Sequence, residues 1–324
     1  MALLEIRDLK KYFPVAAGLL GQQREYVKAI DGVSLDVEDG ETVGLVGESG
    51  CGKTSLGRCV VRLIEPTAGT VAFEGRELSG LSGLAMRETR RKMQMIFQDP
   101  YASLNPRMRV GEIVGEGLRI HRLASGRDLK LQVEELLRRV GLRAETYGRY
   151  PHEFSGGQRQ RIGVARALAV NAKFIVADEA VSALDVSIQS QILNMLLDLQ
   201  QELGLTYLFI SHDLRVVEHV SDRVAVMYLG KIVEIAPSGE LHNECQHPYT
   251  RALLSAVPVP DPTRKGARTV LQGDVPSPIN PPSGCSFHPR CPFALKRCSE
   301  EEPQLEFSGR HGVACHVFGP GGRK

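Results

Sequence analysis

The sequence lacks any apolar run close to the roughly 20 residues that a transmembrane helix needs. It also lacks a large excess of one charge, since 40 basic residues stand against 38 acidic ones. This near-balance argues against a nucleic-acid binder that relies on a strong phosphate-attracting field, although a local basic patch would still fit. Residues 1–8 contain no long apolar core, so no secretory signal is expected. We therefore expect a cytoplasmic protein whose membrane role, if it has one, requires a membrane-embedded partner.

Internal repeats are absent as well, and the length of 324 residues fits one large domain with an appendage, or two domains. Apolar strand-like runs alternate with helical patterns, which predicts a largely parallel α/β sheet. Helices are predicted from near Gly52 to Pro66 and over residues 188–204. A hairpin is predicted over 224–235, and residues 14–26 are predicted to be a loop.

Residues 47–54 match the phosphate-loop pattern G-x-x-x-x-G-K-[ST], with a predicted buried strand before it and a helix after it. The glycines let the backbone curl so that its N–H groups point at phosphate oxygens, and the helix start adds partial positive charge. We expect Lys53 to reach the outer phosphates and the Thr54 hydroxyl to bind Mg²⁺. The predicted nucleotide-binding residues of the loop are Gly47, Glu48, Ser49, Gly50, Cys51, Gly52, Lys53 and Thr54.

Polar residues follow other apolar strands at the points where those strands end. Asp178 is predicted to hold Mg²⁺ through water, and Glu179 to orient or deprotonate the attacking water. Attack on a γ-phosphate needs further polar groups, and Gln98 and His212 each stand where a strand opens into a loop. Taken alone, a Gln or a His at such a position would more often have a structural role than a catalytic one. The predicted catalytic residues are Glu179, His212 and Gln98, and the predicted Mg²⁺ ligands are Thr54, Gln98 and Asp178.

A second glycine-containing helix start, residues 154–158, precedes a predicted helix from Arg159 to Val170. Its serine and backbone amides form a second anion-binding element. A single nucleotide cannot easily use both elements of the same chain. The pattern therefore predicts a head-to-tail dimer, in which each nucleotide lies between the phosphate loop of one subunit and this signature segment of the other.

Together and in this order, these motifs resemble the ATP-binding subunits of ABC transporters over residues 1 to about 256. The resemblance implies an α/β P-loop NTPase fold with a RecA-like core, an antiparallel β subdomain and a helical signature subdomain at about 99–170. It also implies that His212 contacts the γ-phosphate. Adenine is expected to stack on Phe13 or, as second choice, Tyr12, although either could be a strand-end core aromatic. The residues expected to act in trans across the dimer are Ser155, Gly156, Gly157, Gln158 and Asp185.

Three further stretches, 98–107, 247–254 and 278–285, resemble the oligopeptide/dipeptide importer branch. The branch implies ATP hydrolysis that drives uptake of di- or oligopeptides, with nickel chelates or glutathione as alternative solutes. It also implies a second, similar ATPase subunit, two membrane permeases and an extracytoplasmic solute-binding protein. The chain would then lie peripherally at the cytoplasmic face of the membrane, with no nucleic-acid partner. A soluble ABC-type ATPase acting on nucleic acid is the remaining alternative, but such proteins usually carry two cassettes in one chain.

The composition changes at about residue 257, so that the predicted domains are 1–256 and 257–324. Residues 257–284 are rich in proline and predict a stiff connector, and a small cysteine-rich C-terminal extension follows. Its four thiols could close a zinc site, hold a [4Fe–4S] cluster or remain without metal. The C-x₂₋₄-C pairs typical of zinc are absent, and the resemblance implies a cluster, which makes ATP, Mg²⁺ and a [4Fe–4S] cluster the expected cofactors. The predicted cluster ligands are Cys285, Cys291, Cys298 and Cys315.

Overall fold

The computed structural model describes residues 2–17, 23–256 and 273–319, so that part of the predicted connector, 257–272, lies outside the described residues. The strands are β1 (Ala2–Ala17), β2 (Gln23–Glu38), β3 (Thr42–Val46), β4 (Ala68–Phe73), β5 (Arg76–Glu77), β6 (Met93–Ile96), β7 (Phe174–Asp178), β8 (Thr206–Ile210), β9 (Arg223–Tyr228), β10 (Lys231–Pro237), β11 (Glu306–Ser308) and β12 (His311–Val313). The helices are α1 (Lys53–Val60), α2 (Gly83–Lys92), α3 (Val110–Ile120), α4 (Gly126–Arg139), α5 (Gly156–Leu168), α6 (Val186–Leu203), α7 (Leu214–Val220), α8 (Ser238–Glu244), α9 (Pro248–Ala256) and α10 (Lys296–Glu300). Within these residues, no helix combines the length and the apolar character needed to cross a membrane.

The chain divides into two compact units. The phosphate-loop unit comprises Ala2–Val37, Thr42–Ser79 and Ser211–Lys324, and the signature unit comprises Glu38–Glu41 and Gly80–Ile210. The first contains the predicted phosphate loop, and the second contains the predicted signature segment. The division into domains 1–256 and 257–324 stays a prediction.

An antiparallel sheet with the strand order β2-β1-β4-β5 forms one part of the phosphate-loop unit. Leu4 and Ile6 of β1 pair with Phe73 and Val71 of β4, and all four side chains are buried. Their period of two places the apolar residues on one face of the sheet. The predicted loop over 14–26 is wrong at both ends, because the extended strands β1 and β2 include its first and last residues.

The second sheet of the phosphate-loop unit has the strand order β11-β12-β10-β9-β3. Strand β3 runs parallel to β9, and β9 and β10 form the predicted hairpin, with Tyr228 opposite Lys231. Strand β12 of the C-terminal tail pairs with β10. The tail is therefore built onto the sheet that carries β3, the strand that leads to the phosphate loop. Helix α1 ends earlier than predicted, at Val60, and Arg62 then takes a positive φ of 52°.

The signature unit is built around the parallel strands β8, β7 and β6. Every residue of β7 and β8 is buried, as expected for strands covered on both faces. This arrangement confirms the predicted parallel α/β architecture. Helix α6 buries Ile192, Leu196 and Leu199 and ends at Gly204, whose φ of 63° provides the left-handed cap. The helix predicted over 188–204 is thereby confirmed.

Candidate functional site

The phosphate loop connects the buried strand β3 to the first turn of α1. Lys53 is 4% exposed, and its Nζ donates to the carbonyl oxygens of Gly47 at 2.7 Å and Glu48 at 3.0 Å. The ammonium group thus lies inside the curl of the loop, next to the backbone that would surround a phosphate. The Cys51 carbonyl accepts a hydrogen bond from Gly230 N–H at 2.9 Å, which fixes the loop to the β9–β10 hairpin. Burial raises the pKa of the Cys51 thiol, so this side chain packs as a neutral group.

Two glycines of the loop are required by both backbone angle and space. Gly47 has a φ of 153°, and a Cβ there would lie 2.1 Å from the Met227 carbonyl oxygen. Gly52 has a φ of 106°, and its Cβ would lie 2.0 Å from the Ala29 carbonyl oxygen. Because both obstacles are backbone atoms, no side-chain rotation could relieve them. The sequence pattern therefore corresponds to a real steric requirement at both ends of the loop.

His212 occupies an exposed turn just before α7. The preceding residue, Ser211, donates its N–H to the Leu45 carbonyl oxygen at 3.1 Å. Asp213 caps α7 by accepting from Arg215 N–H at 2.9 Å. The turn is thus held beside the end of β3, which continues into the phosphate loop, and the γ-phosphate contact of His212 stays a prediction.

The two candidate adenine-stacking residues differ in their surroundings. The Tyr12 hydroxyl donates to Asp31, and burial together with this hydrogen bond raises the pKa of the phenol. The Lys28 ammonium lies 5.8 Å from the centroid of the Tyr12 ring. Phe13 has Lys11 Nζ at 5.0 Å from its ring centroid. Tyr12 thus has a hydrogen-bond partner, both rings lie near a lysine ammonium, and the adenine-stacking residue stays a prediction.

Two predicted catalytic residues are in direct contact in the signature unit. Gln98 Nε2 donates to Glu179 Oε2 at 2.7 Å. Glu179 has a φ of 46°, a left-handed conformation that is uncommon for a residue with a side chain. Its N–H donates to the Ile210 carbonyl at 2.9 Å, and its carbonyl accepts from Ser182 N–H at 3.1 Å. The strained backbone is thus held from both sides, which fixes the direction of the carboxylate. Asp178, directly before it, is buried at the end of β7.

The signature segment forms the start of α5. Ser155 Oγ accepts from Gln158 N–H at 3.4 Å, and Gln158 Oε1 accepts from Ser155 N–H at 3.1 Å. This reciprocal pair is a capping box. A Cβ on Gly157 would lie 2.4 Å from Ile188 Cγ2, so the glycine permits close packing against α6. Asp185 is exposed at the N-cap position of α6, and its place at a dimer interface stays a prediction.

The predictions missed the residues that hold Glu48 of the phosphate loop. Its carboxylate accepts from Arg290 Nη1 at 2.9 Å and Nη2 at 3.2 Å, and its backbone N–H donates to Tyr249 Oη at 2.9 Å. Tyr249 lies in the stretch 247–254 that the resemblance singled out. Arg290 stands 242 positions along the chain from its partner. Nothing in the local sequence could have connected the two ends of that ion pair.

The four tail cysteines lie in one region but do not form a ligand set. All seven cysteines of the chain are free. Burial, together with the proximity of the thiols of Cys298, Cys315 and Cys291, raises the pKa of Cys285 to about 11. Nevertheless, the described residues contain no group of three or more His, Cys, Asp or Glu side chains placed to hold a metal ion. The predicted iron–sulfur ligand set therefore finds no support in this geometry.

One of the four cysteines and two histidines of the tail make other contacts. Cys298 Sγ accepts from Leu295 N–H at 3.5 Å, within its own helical turn. His311 Nε2 contacts Glu234 Oε1 at 2.8 Å. His288 Nδ1 contacts the Cys285 carbonyl at 3.0 Å. The contacts of Cys298 and His288 lie within the tail, whereas that of His311 reaches Glu234 of β10.

Comparison with known proteins found matching families for two parts of the chain. A family model described as ABC transporter matches residues 30–182, and one described as oligopeptide/dipeptide transporter, C-terminal region, matches residues 233–298. The oligopeptide transport ATP-binding protein AppF of Bacillus subtilis is 54% identical over 98% of this chain and 97% of its own length. The probable peptide ABC transporter ATP-binding protein y4tS of Sinorhizobium fredii is 53% identical over 98% of this chain and 91% of its own length.

Solved structures agree with these sequence matches. A dimeric, post-hydrolysis state of the ATP-binding cassette MJ0796, bound to ADP and Pi, superposes with a TM-score of 0.65 at 27% identity. The superposition covers 72% of this chain and 98% of that cassette. The fold similarity thus spans nearly all of a known ATP-binding cassette and leaves part of this chain beyond it.

Proposed function

The chain belongs to the ABC transporter family, in its oligopeptide/dipeptide branch, and we propose that it hydrolyses ATP to drive uptake of di- or oligopeptides. The observation that carries this proposal is the 54% identity to an oligopeptide transport ATP-binding protein over 98% of the chain. An alignment over this share of the chain includes the phosphate loop, the signature segment and the tail together. It therefore supports both the ATPase and the peptide branch, whereas no observation favours nickel chelates, glutathione or nucleic acid.

The phosphate-loop unit supplies the groups for nucleotide binding. We propose that the backbone of residues 47–54 and the Lys53 ammonium bind the β- and γ-phosphates, and that Phe13 stacks on adenine, with Tyr12 as second choice. His212 contacts the γ-phosphate in this proposal. The burial of Lys53 inside the loop and the contact of Ser211 with β3 support these roles.

The signature unit supplies the groups for hydrolysis. We propose that Glu179 orients or deprotonates the attacking water and that Gln98 assists it. Their hydrogen bond of 2.7 Å supports a joint role. Thr54, Gln98 and Asp178 offer hydroxyl, amide and carboxylate oxygens, the donor types that Mg²⁺ prefers. The cation would neutralise charge on the phosphates.

Two such subunits facing each other would complete the ATP sites. We propose that Ser155, the glycines that follow it, Gln158 and Asp185 act across the interface on the partner's nucleotide. The dimeric state of the similar cassette MJ0796 supports this arrangement. The partner is a second, similar ATPase subunit. Two membrane permeases and an extracytoplasmic solute-binding protein would complete a transporter that holds this chain at the cytoplasmic face of the membrane.

Replacement of Glu179 by Gln tests the proposed chemistry in the assembled transporter. Hydrolysis is expected to fall by about 100-fold or more, because the side chain keeps its shape but can no longer accept a proton. ATP binding and ATP-dependent dimerisation should persist. Glu202→Gln, at an exposed position of α6, is the matched control and should leave hydrolysis unchanged. Unchanged hydrolysis in E179Q would contradict the assigned role of Glu179.

We also propose that the cysteine-rich tail takes up a [4Fe–4S] cluster, as the resemblance implies. The resemblance alone carries this proposal, because the described residues contain no group of three or more His, Cys, Asp or Glu side chains placed to hold a metal ion. Analysis of iron and sulfide in anaerobically purified protein, with absorbance near about 400 nm, decides the matter. Colourless protein free of iron would contradict the proposal and leave the thiols as packed side chains.

A further inference from the structure

A largely buried ion pair connects the cysteine-rich tail to the phosphate loop. Both terminal nitrogens of Arg290 donate to the two carboxylate oxygens of Glu48, at 2.9 and 3.2 Å. The side chain of Arg290 is only 7% exposed, and that of Glu48 is 26% exposed. Paired, two-point contacts of this kind hold both side chains in one geometry. Glu48 directly follows the first glycine of the phosphate loop, so the ion pair joins the tail to a residue of this loop.

The segment that carries Arg290 is fixed by packing. Arg290 lies at the end of a single 3₁₀ turn, in which its N–H donates to the Phe287 carbonyl at 3.0 Å. The fully buried Phe287 ring packs edge-on against Tyr228, with a centroid distance of 5.3 Å, and against Tyr249 at 5.4 Å. Tyr249 in turn accepts the Glu48 N–H. The tail therefore holds Glu48 through its carboxylate and, through this aromatic cluster, through its backbone.

The negative charge of Glu48 matters for the binding of a phosphate by this loop. A carboxylate in a phosphate loop would repel the triphosphate that the loop is proposed to bind, because like charges a few ångströms apart oppose each other strongly where water is excluded. Arg290 neutralises that carboxylate and directs it toward the tail.

We propose that Arg290 is a positioning residue for ATP binding, which acts through Glu48 to set the charge and shape of the phosphate loop and so makes ATP affinity depend on the cysteine-rich tail. This rests on the proposed ATPase function. It adds a role for the tail that the phosphate-loop pattern does not contain. Any change that moves the turn at Arg290 is then expected to alter ATP affinity without altering the catalytic groups.

The test compares four variants in the assembled transporter, with kcat and the KM for ATP measured separately. Arg290→Gln leaves an unpaired carboxylate and is expected to raise KM by about 10-fold, with kcat changed by less than about 2-fold. Arg290→Lys keeps the charge but loses the two-point contact, so its KM should be intermediate. The double variant E48Q/R290Q removes the unpaired carboxylate and should restore most of the affinity. Arg297→Gln breaks an exposed tail ion pair with Glu301 and is the control that should leave KM unchanged.

The rescue separates the proposal from a simple loss of structure. If Arg290 only helped the tail to fold, removing Glu48 as well would not recover ATP affinity. An E48Q/R290Q variant as weak as R290Q, or an R290Q variant with the wild-type KM, would overturn the inference. Wild-type protein that neither binds nor hydrolyses ATP would instead overturn the proposed function, so the two failures are distinguishable.

Discussion

The phosphate loop and the signature segment both place glycines at the start of a helix, but they satisfy the helix start differently. In α5, the Ser155 and Gln158 side chains cap each other's backbone N–H groups. In α1, the capping position is Gly52, and no side chain caps the helix. The first N–H groups of a helix have no partners within it. The start of α1 therefore has no capping side chain, whereas the start of α5 is capped by two side chains of its own segment.

The glycines of the two segments also meet different neighbours. Gly47 and Gly52 face carbonyl oxygens of the backbone, whereas Gly157 faces the side chain of Ile188. Backbone atoms can move only with their strand, but a side chain can change its rotamer. The phosphate loop should therefore tolerate substitution far less well than the signature segment.

The largest expected effect is that of Gly52→Ala. The new methyl group would lie 2.0 Å from the Ala29 carbonyl oxygen at a φ of 106°. We expect the free energy of unfolding to fall by about 3 kcal/mol or more, from steric overlap and backbone strain together. Denaturant titration measures this loss, and ATP binding by the folded fraction should disappear with it.

Two controls sharpen this prediction. Gly50→Ala carries a positive φ of 81° but has open space, so only the strain remains, about 1–2 kcal/mol. Gly157→Ala meets a movable side chain and should lose about 1–2 kcal/mol as well. If Gly157→Ala were as damaging as Gly52→Ala, the contrast between a backbone-enclosed loop and a side-chain-packed one would be wrong.

The local parts of both segments follow from the sequence. Three such features depend on residues close together in the chain. They are the strand–loop–helix context of Lys53, the strand that ends in Asp178 and the cap at Gly204. The spacing of apolar residues and the positions of glycines are sufficient to predict such features. The contact between Gln98 and Glu179 also agrees with a rule about parallel strands, whose ends meet at one edge.

The contacts of the tail could not be predicted in this way. Arg290 lies beside Glu48 in a tail whose strand β12 pairs with β10 of the sheet that carries β3. The cysteine spacing suggested a cluster, but the direction of each thiol depends on local turns, such as the one that engages Cys298. Pairing over more than two hundred residues and side-chain direction both depend on tertiary packing, which a single sequence does not reveal.

The phosphate-loop unit contains a buried histidine that should make its stability depend on pH. His247 is fully enclosed, and burial lowers its pKa to about 4, although the charge of Glu234 opposes this. The unfolded chain binds a proton near pH 6.5, so between about pH 6.5 and 4 the unfolded state holds more protons. Stability from this residue is complete above that window and is lost as the pH falls through it. We expect about 2 kcal/mol less stability at pH 5 than at pH 7 from His247 alone.

The His247→Asn variant isolates this contribution. Asn can still accept the Tyr249 N–H that His247 Nδ1 accepts at 3.1 Å, but it does not titrate. Denaturant titrations at pH 7 and pH 5 should show a smaller loss in the variant than in the wild type. Hydrogen exchange should locate the difference in β9 and β10, with no change in α5. Equal pH dependence in both proteins would contradict the neutral, buried state of His247.

The smallest expected effect concerns the cap of the signature helix. Ser155→Ala removes the acceptor for Gln158 N–H and should lower the free energy of unfolding by about 1 kcal/mol, the usual loss for a capping side chain. ATP binding by the single chain should not change, because the phosphate loop is in the other unit. Ser155→Asp restores a capping acceptor and should recover the stability, yet its negative charge should repel a partner's triphosphate and still suppress hydrolysis in the dimer. If hydrolysis recovered together with stability in Ser155→Asp, this serine would matter only as a cap. The two helix starts would then not be two halves of one nucleotide site.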